Sequence, residues 1–210
     1  MKDILVNDEP ILYTRCDEIN VTENNKEVRE IVREIKDTMR KKELKHLSAP
    51  SIGFDKRIFC IDYEDLEIKT YINPIIVNMK GLTLSRETCS SVPGKTFLIP
   101  RCNEITVMYQ RPTGQSESKQ LLGVAAIVFQ HELNHLDGVL LSDIGLEIDD
   151  NYDNASDEDK QKIIEMYLDS LDIKTKELQE DINKDPELKK LDDGIKFMEG
   201  IAKGEIKQSE

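Results

Sequence analysis

The stretch Gln130-His131-Glu132-Leu133-Asn134-His135 constrains this chain more than any other. On a helix, residues i and i+4 share one face, so the imidazoles of His131 and His135 can reach a single metal ion. Glu132 directly follows the first imidazole and can address a water on that ion, as in zinc hydrolases that carry His-Glu-x-x-His. Two histidines at this spacing also occur as an ordinary exposed pair. A third ligand and a burying helix are what separate the two readings.

The helix is supplied by what precedes the motif. Lys119-Gln120-Leu121-Leu122-Gly123-Val124-Ala125-Ala126-Ile127-Val128-Phe129 predicts a helix that begins near residues 116–118, and Gly138 is ready to end it in a left-handed conformation. Its first half is apolar on every side, which predicts burial in the middle of the domain. An unpartnered buried polar group costs about 1–3 kcal/mol. Two of the chain's three histidines on one buried face, beside a glutamate, therefore favour a metal site.

Upstream, the spacing of Val28, Ile31, Val32, Ile35 and Met39 predicts an amphipathic helix from an N-cap at Thr22 to about Glu43. Residues 1–21 read as irregular, and 44–53 as a loop by their Pro and Gly. Strand-like runs cover 57–62, 69–78, 82–85 and 104–109, with Pro74 marking a bulge or an edge. Residues 86–94 read as a polar loop, and Arg111-Pro112-Thr113-Gly114 as a turn.

Charge divides the chain in two. Residues 146–210 hold 20 acidic and 10 basic side chains and account for −10 of the net −13. This predicts a domain over 1–145 and an acidic helical extension over 146–210. Ser156-Asp157-Glu158-Asp159 would cap a first helix there and Asp185-Pro186 a second. The acidic balance argues against sequence-specific nucleic-acid binding or an anionic-membrane surface. No apolar run approaches the ~20 residues of a membrane span, and no secretory signal opens the sequence, so a cytoplasmic protein is expected.

The four cysteines, Cys16, Cys60, Cys89 and Cys102, show no disulfide-framework spacing. Cys60 sits in an apolar run and reads as a small buried hydrophobe. A thiolate would complete a catalytic site of three protein ligands. Cys89 lies in a segment suited to present one, though spacing alone does not separate it from Cys102.

Taken together, these segments resemble the peptide deformylase family. Its three motifs, GxGLAAxQ, EGCLS and QHExDH, have counterparts here in the same order. They are Leu44-Lys45-His46-Leu47-Ser48-Ala49-Pro50-Ser51, Glu87-Thr88-Cys89-Ser90-Ser91 and Gln130-His131-Glu132-Leu133-Asn134-His135. Tyr71-Ile72-Asn73-Pro74 and Leu136-Asp137-Gly138-Val139-Leu140 also look like family segments, and the likeness covers about residues 1–145.

The resemblance implies an α+β fold, with small antiparallel sheets packed around a central buried helix. It implies hydrolysis of the N-formyl group of formyl-methionyl peptides, with N-formylated nascent peptides and a transient ribosome contact as partners. One divalent metal ion would be held by Cys89, His131 and His135, natively Fe2+, with Zn2+ or Ni2+ as substitutes. Glu132 would be general base and acid.

The departures fall on the substrate side. Ser51 stands where the family places the glutamine that donates to the developing oxyanion, and the backbone N–H of Ser90 remains as a donor. Losing one such donor costs about 10²–10³ in rate in a serine protease. Leu44, His46 and Thr88 replace motif glycines, Ser90 replaces leucine, and Asn134 stands where aspartate is usual. His46 is either an exposed loop histidine or a recruited donor. The alternatives in view are a metalloamidase with a different acyl substrate, and a non-catalytic metal-binding homologue with a partner-binding tail.

Overall fold

In this computed structural model the described residues are 2–62 and 68–184, with side chains described as far as residue 170. They fall into two compact units, Met1–Asp149 and Asp150–Glu210. In the first unit a largely irregular segment with one 3-10 turn (Pro10–Tyr13) leads into helix α1 (Asn25–Lys42). Then come β1 (His46–Ser48), a 3-10 turn (Pro50–Ile52), β2 (Ile58–Asp62), β3 (Ile68–Cys89), β4 (Val92–Gln110) and β5 (Ser116–Leu122). Helix α2 (Val124–Leu136), the short α3 (Leu141–Ile144) and β6 (Leu146–Ile148) complete it.

The α+β class stands. The expected small sheets are instead joined into a single antiparallel sheet, ordered β1-β2-β3-β4-β5, with β6 added to β4. The joining follows from β3 and β4, which stay paired from Ile72↔Gln110 to Cys89↔Val92. Register shifts near Ile72/Ile75 and Ile76/Asn78 bend this ribbon. Asn73 takes a left-handed φ of 47° just before Pro74, which is the bulge that proline implied. β6 keeps the chain within the sheet as far as Ile148.

β2 explains why two helices can share one strand. Its residues are buried on both faces, so Ile58 and Cys60 join the core beneath α1 while Phe59 and Ile61 join the core beneath α2. A strand covered on both sides reads as continuous apolar sequence, which is how residues 58–61 read. The apolar stripe of α1, Val28, Ile31, Val32, Ile35 and Met39, is buried as its spacing required. Its start differs slightly: α1 begins at Asn25 after Asn24, while Thr22 belongs to the preceding turn.

The other helix expectation is corrected at its N-terminus. Residues 116–122 form β5 instead of the first turns of α2, pairing from Gln110↔Ser116 to Glu104↔Leu122. Backbone hydrogen bonding decides this. As a helix, 116–122 would leave that edge of β4 without partners. Gly123, with φ 56° and ψ −132°, then turns the chain from strand to helix.

Phe129 anchors α2 by packing edge-on to Phe59 and Tyr71, with centroids 5.1 and 5.3 Å apart. Full burial of such a ring contributes roughly 1.5–3 kcal/mol. The Gln130 amide donates to the Cys102 carbonyl and accepts from the Cys102 N–H, tying the helix to β4. Arg57 donates to the Leu136 carbonyl and to the Asp137 carboxylate at the other end. Gly138, at φ 72°, closes the helix as its sequence position foretold.

Among the described residues of the second unit are α4 (Asp150–Asn154) and α5 (Asp157–Lys184). The Asp159 N–H donates to Ser156 Oγ at 3.2 Å, and that hydroxyl donates to Asp159 Oδ2 at 2.7 Å, a local cap close to the one expected. The helix expected after Asp185-Pro186 lies outside the described residues. Among the described residues no helix is long and apolar enough to cross a membrane.

Candidate metal centre

Cys89, His131 and His135 converge although 46 residues separate the cysteine from the second histidine. All three are buried, and their ligand atoms lie within 4.8 Å of one another. The histidines arrive as the i, i+4 pair on the inner face of α2. Cys89 arrives differently from expectation. It does not ride on a loop; it is the last residue of β3, where the chain turns through Ser90 and Ser91 and returns as β4. Sheet pairing at Cys89↔Val92 fixes its backbone, and its Sγ stands 3.2 Å from His135 Nε2. Cys102 is engaged elsewhere, on the Gln130 amide, and is not part of the cluster.

A set of polar neighbours orients the imidazoles. Glu87 Oε2 lies 2.9 Å from His131 Nδ1, while Arg101 grips the same carboxylate through Nε at 2.8 Å and Nη2 at 3.0 Å. The pair is buried and bidentate, so Glu87 stays ionised. Burial pushes its pKa up, but the His131 and Arg101 hydrogen bonds hold it down at about 2. An ionised carboxylate can only accept, so the proton of His131 sits on Nδ1 and leaves Nε2 as a lone pair for a metal. Arg101 Nη1 also donates to Asn134 Oδ1 at 2.5 Å, which ties the non-ligand position of the motif into this network.

Glu87 and Asn134 were visible in the motifs, but Arg101 was not singled out from sequence. No sequence signal marks it, since residue 101 lies outside the strand-like run 104–109 and joins β4 only in the structure. Only the fold reveals what it meets.

The centre's own ionisation suits a cation. Burial, opposed by the field of Glu132, brings His135 down to about 4, so it is a neutral ligand at ordinary pH. Burial likewise pushes the Cys89 thiol up to about 11 despite the Ser91 N–H pointing at its sulfur. Two imidazole nitrogens and one sulfur in a buried cluster match the donor set of a first-row divalent ion, which would draw the thiol into its thiolate form. His135 Nδ1 and Glu132 Oε2 are buried without a hydrogen-bond partner among the described residues, as in a pocket that contains more than protein atoms.

Glu132 is fully enclosed, and His46 Nδ1 stands 2.5 Å from its Oε1. Burial would raise the Glu132 pKa, but the hydrogen bond and charge of His46, then His135 and His131, bring it down to about 2. Burial would lower His46, and the same contact with Glu132 outweighs it, so His46 is raised. His46 is therefore neither a loop residue nor fully exposed. It sits at the start of β1, half-buried, with its ring edge-on to His131 at 5.1 Å.

Ser51 and Ser90 are placed less directly. Ser51 is buried in the 3-10 turn, and its hydroxyl lies 2.8 Å from that of Ser48. Ser90 is exposed at the turn beside Cys89. The structure thus gathers Cys89, His131, Glu132 and His135 at one point and leaves these two serines at its margin.

Comparison with known proteins identifies the family. The family model described as Polypeptide deformylase matches residues 1–148. The peptide deformylase of Dictyoglomus thermophilum is 36% identical over 139 residues, covering 66% of this chain and 89% of that protein. That of Halothermothrix orenii is 33% identical over 136 residues, covering 64% and 87%. Among solved structures, Thermotoga maritima peptide deformylase aligns with a TM-score of 0.63 at 32% identity, covering 69% of this chain and 97% of that one. A peptide deformylase from Synechococcus elongatus in complex with actinonin aligns with a TM-score of 0.64 at 28% identity, covering 69% and 79%. The chain belongs to the polypeptide deformylase family and is a metal-dependent hydrolase of the deformylase type.

Proposed function

We propose that this chain hydrolyses the N-formyl group of formyl-methionyl peptides with an ion held by Cys89, His131 and His135. The observation that carries the proposal is the buried cluster of these three ligand atoms, with Glu132 packed beside it and one of its oxygens unpartnered among the described residues. A thiolate with two imidazoles suits Fe2+, the metal proposed here, with Zn2+ and Ni2+ as replacements. Such an ion lowers the pKa of a water towards ~7 and polarises a carbonyl.

The chain's own residues supply the rest. Glu132, ionised by its neighbours, takes a proton from the attacking water as the water oxygen bonds to the formyl carbon. It then gives that proton to the peptide nitrogen as the carbon–nitrogen bond breaks, which releases formate and a free amino terminus. The Ser90 backbone N–H is the proposed donor to the oxygen that gains charge. Ser51 and Ser48 share one hydrogen bond between two hydroxyls, so one hydroxyl proton of the pair remains for a further acceptor, and Ser51 is the candidate for it.

The test is hydrolysis of formyl-Met-Ala-Ser by Fe2+-loaded protein prepared without oxygen. Wild type is expected to exceed Glu132→Ala by about 10²–10⁴-fold. Equal rates in the two would remove the proposal.

A further inference from the structure

His46 stands against the centre with no task in the hydrolysis described above. The family's first motif carries glycine at this position, so the motif itself assigns His46 no role. The geometry points to His46 as a positioning residue for Glu132, an inference that rests on Glu132 acting as the base.

A carboxylate offers two oxygens, and base catalysis needs a chosen one to be free and correctly aimed. In Glu132 the two are distinguished. Oε1 is taken by His46 Nδ1 at 2.5 Å, and Oε2 is buried with no partner among the described residues. A short hydrogen bond with an ionised acceptor is about twice as strong as a neutral one, so it opposes rotation of the carboxylate plane. The imidazole is itself held. Its backbone pairs in register with Ile61 on β2, and its ring rests edge-on against His131. Glu132 belongs to α2 and His46 to the edge strand β1, so the bond joins two separately anchored elements across the pocket.

A misplacement of about 1 Å in a reacting group can cost 10²-fold in rate. Without His46, the buried carboxylate has no other hydrogen-bond partner among the described residues and is free to turn. Because His46 acts through Glu132 and not on substrate, its loss lowers kcat and leaves KM in place.

The experiment uses the full chain, Zn2+-loaded, with formyl-Met-Ala-Ser as substrate, in wild type, His46→Ala, His46→Asn, Glu132→Ala and the His46→Ala/Glu132→Ala pair. His46→Ala is expected to lower kcat about 10- to 100-fold with KM within about twofold. Bound zinc per chain stays unchanged. His46→Asn restores kcat to within about threefold, because its amide nitrogen can occupy the place of Nδ1. Adding His46→Ala to Glu132→Ala changes nothing further.

An unchanged kcat in His46→Ala overturns the inference. So does a raised KM at constant kcat, which would make His46 a substrate contact, and so does lost zinc, which would make it part of the metal site. If His46→Ala fails to fold, Asn and Gln at position 46 decide. Asn sets its donor at Nδ1 and Gln one carbon farther out, and equal kcat in the two overturns the inference. Wild type no faster than Glu132→Ala defeats the proposed function itself, and this inference with it. That outcome is distinct from a fast wild type that is indifferent to His46.

Discussion

His131 donates its Nδ1–H to Glu87 across 2.9 Å, and Arg101 grips the same carboxylate through Nε and Nη2. The three form a buried line from β4 through β3 to α2, so the aim of an imidazole on the helix is set by two residues of the sheet.

Glu87→Gln is expected to weaken zinc binding about 10- to 100-fold, since partners of metal-ligating histidines contribute on this scale. Competition with a coloured chelator measures it. Unchanged affinity would mean that helix packing alone aims His131.

The same carboxylate makes metal-free stability fall in acid. Glu87 drops from its ordinary 4.5 to about 2 in the folded chain, so its contribution is present above 4.5 and disappears as pH falls towards 2. The contribution is on the order of 3 kcal/mol. Urea unfolding of wild type and Glu87→Gln at pH 7, 5 and 3 should show two curves that converge as the pH drops. Parallel curves would contradict the assignment.

Metal uptake should release the Cys89 proton. The thiol sits at about 11 without metal, whereas a bound ion requires the thiolate. Between about pH 7.5 and 9, below the thiol's value, affinity should rise about tenfold per pH unit. Calorimetry in buffers of different ionisation enthalpy counts the proton. Cys89→Ala should lose both the pH slope and most of the affinity.

Gly138→Ala tests the end of α2, the helix that carries His131 and His135. A Cβ at this position would meet the backbone of Tyr13 and Thr14 at 2.7 to 2.9 Å, and the residue already has φ 72°. A loss of at least about 1–3 kcal/mol is expected. Thermal melts check it, and an unchanged Tm would show that the amino-terminal segment yields.

The divide between what sequence reveals and what it hides runs through particular residues. The apolar stripe of α1 and the His131–His135 spacing are local periodicities, and a helix makes them geometric facts without outside help. The three ordered motifs gave away the family for the same reason, as each is a short contiguous string. Residues 116–122 failed locally because their conformation is decided by the open edge of β4, which no window of sequence contains. Cys89 reads as a loop residue because its neighbours are polar, whereas pairing with Val92 extends the strand to it.

The sequence by itself determined the chemical types of the proposed metal ligands, the proposed base beside them and the α+β class, because residue type and helical spacing are carried along the chain. The tertiary structure alone decided that Arg101 fixes Glu87, that Glu87 fixes His131, and that His46 reaches Glu132 from 86 residues away. Those contacts are made by strands and helices meeting in space. Their strength depends on burial, which removes water as a competing partner and which no residue specifies alone.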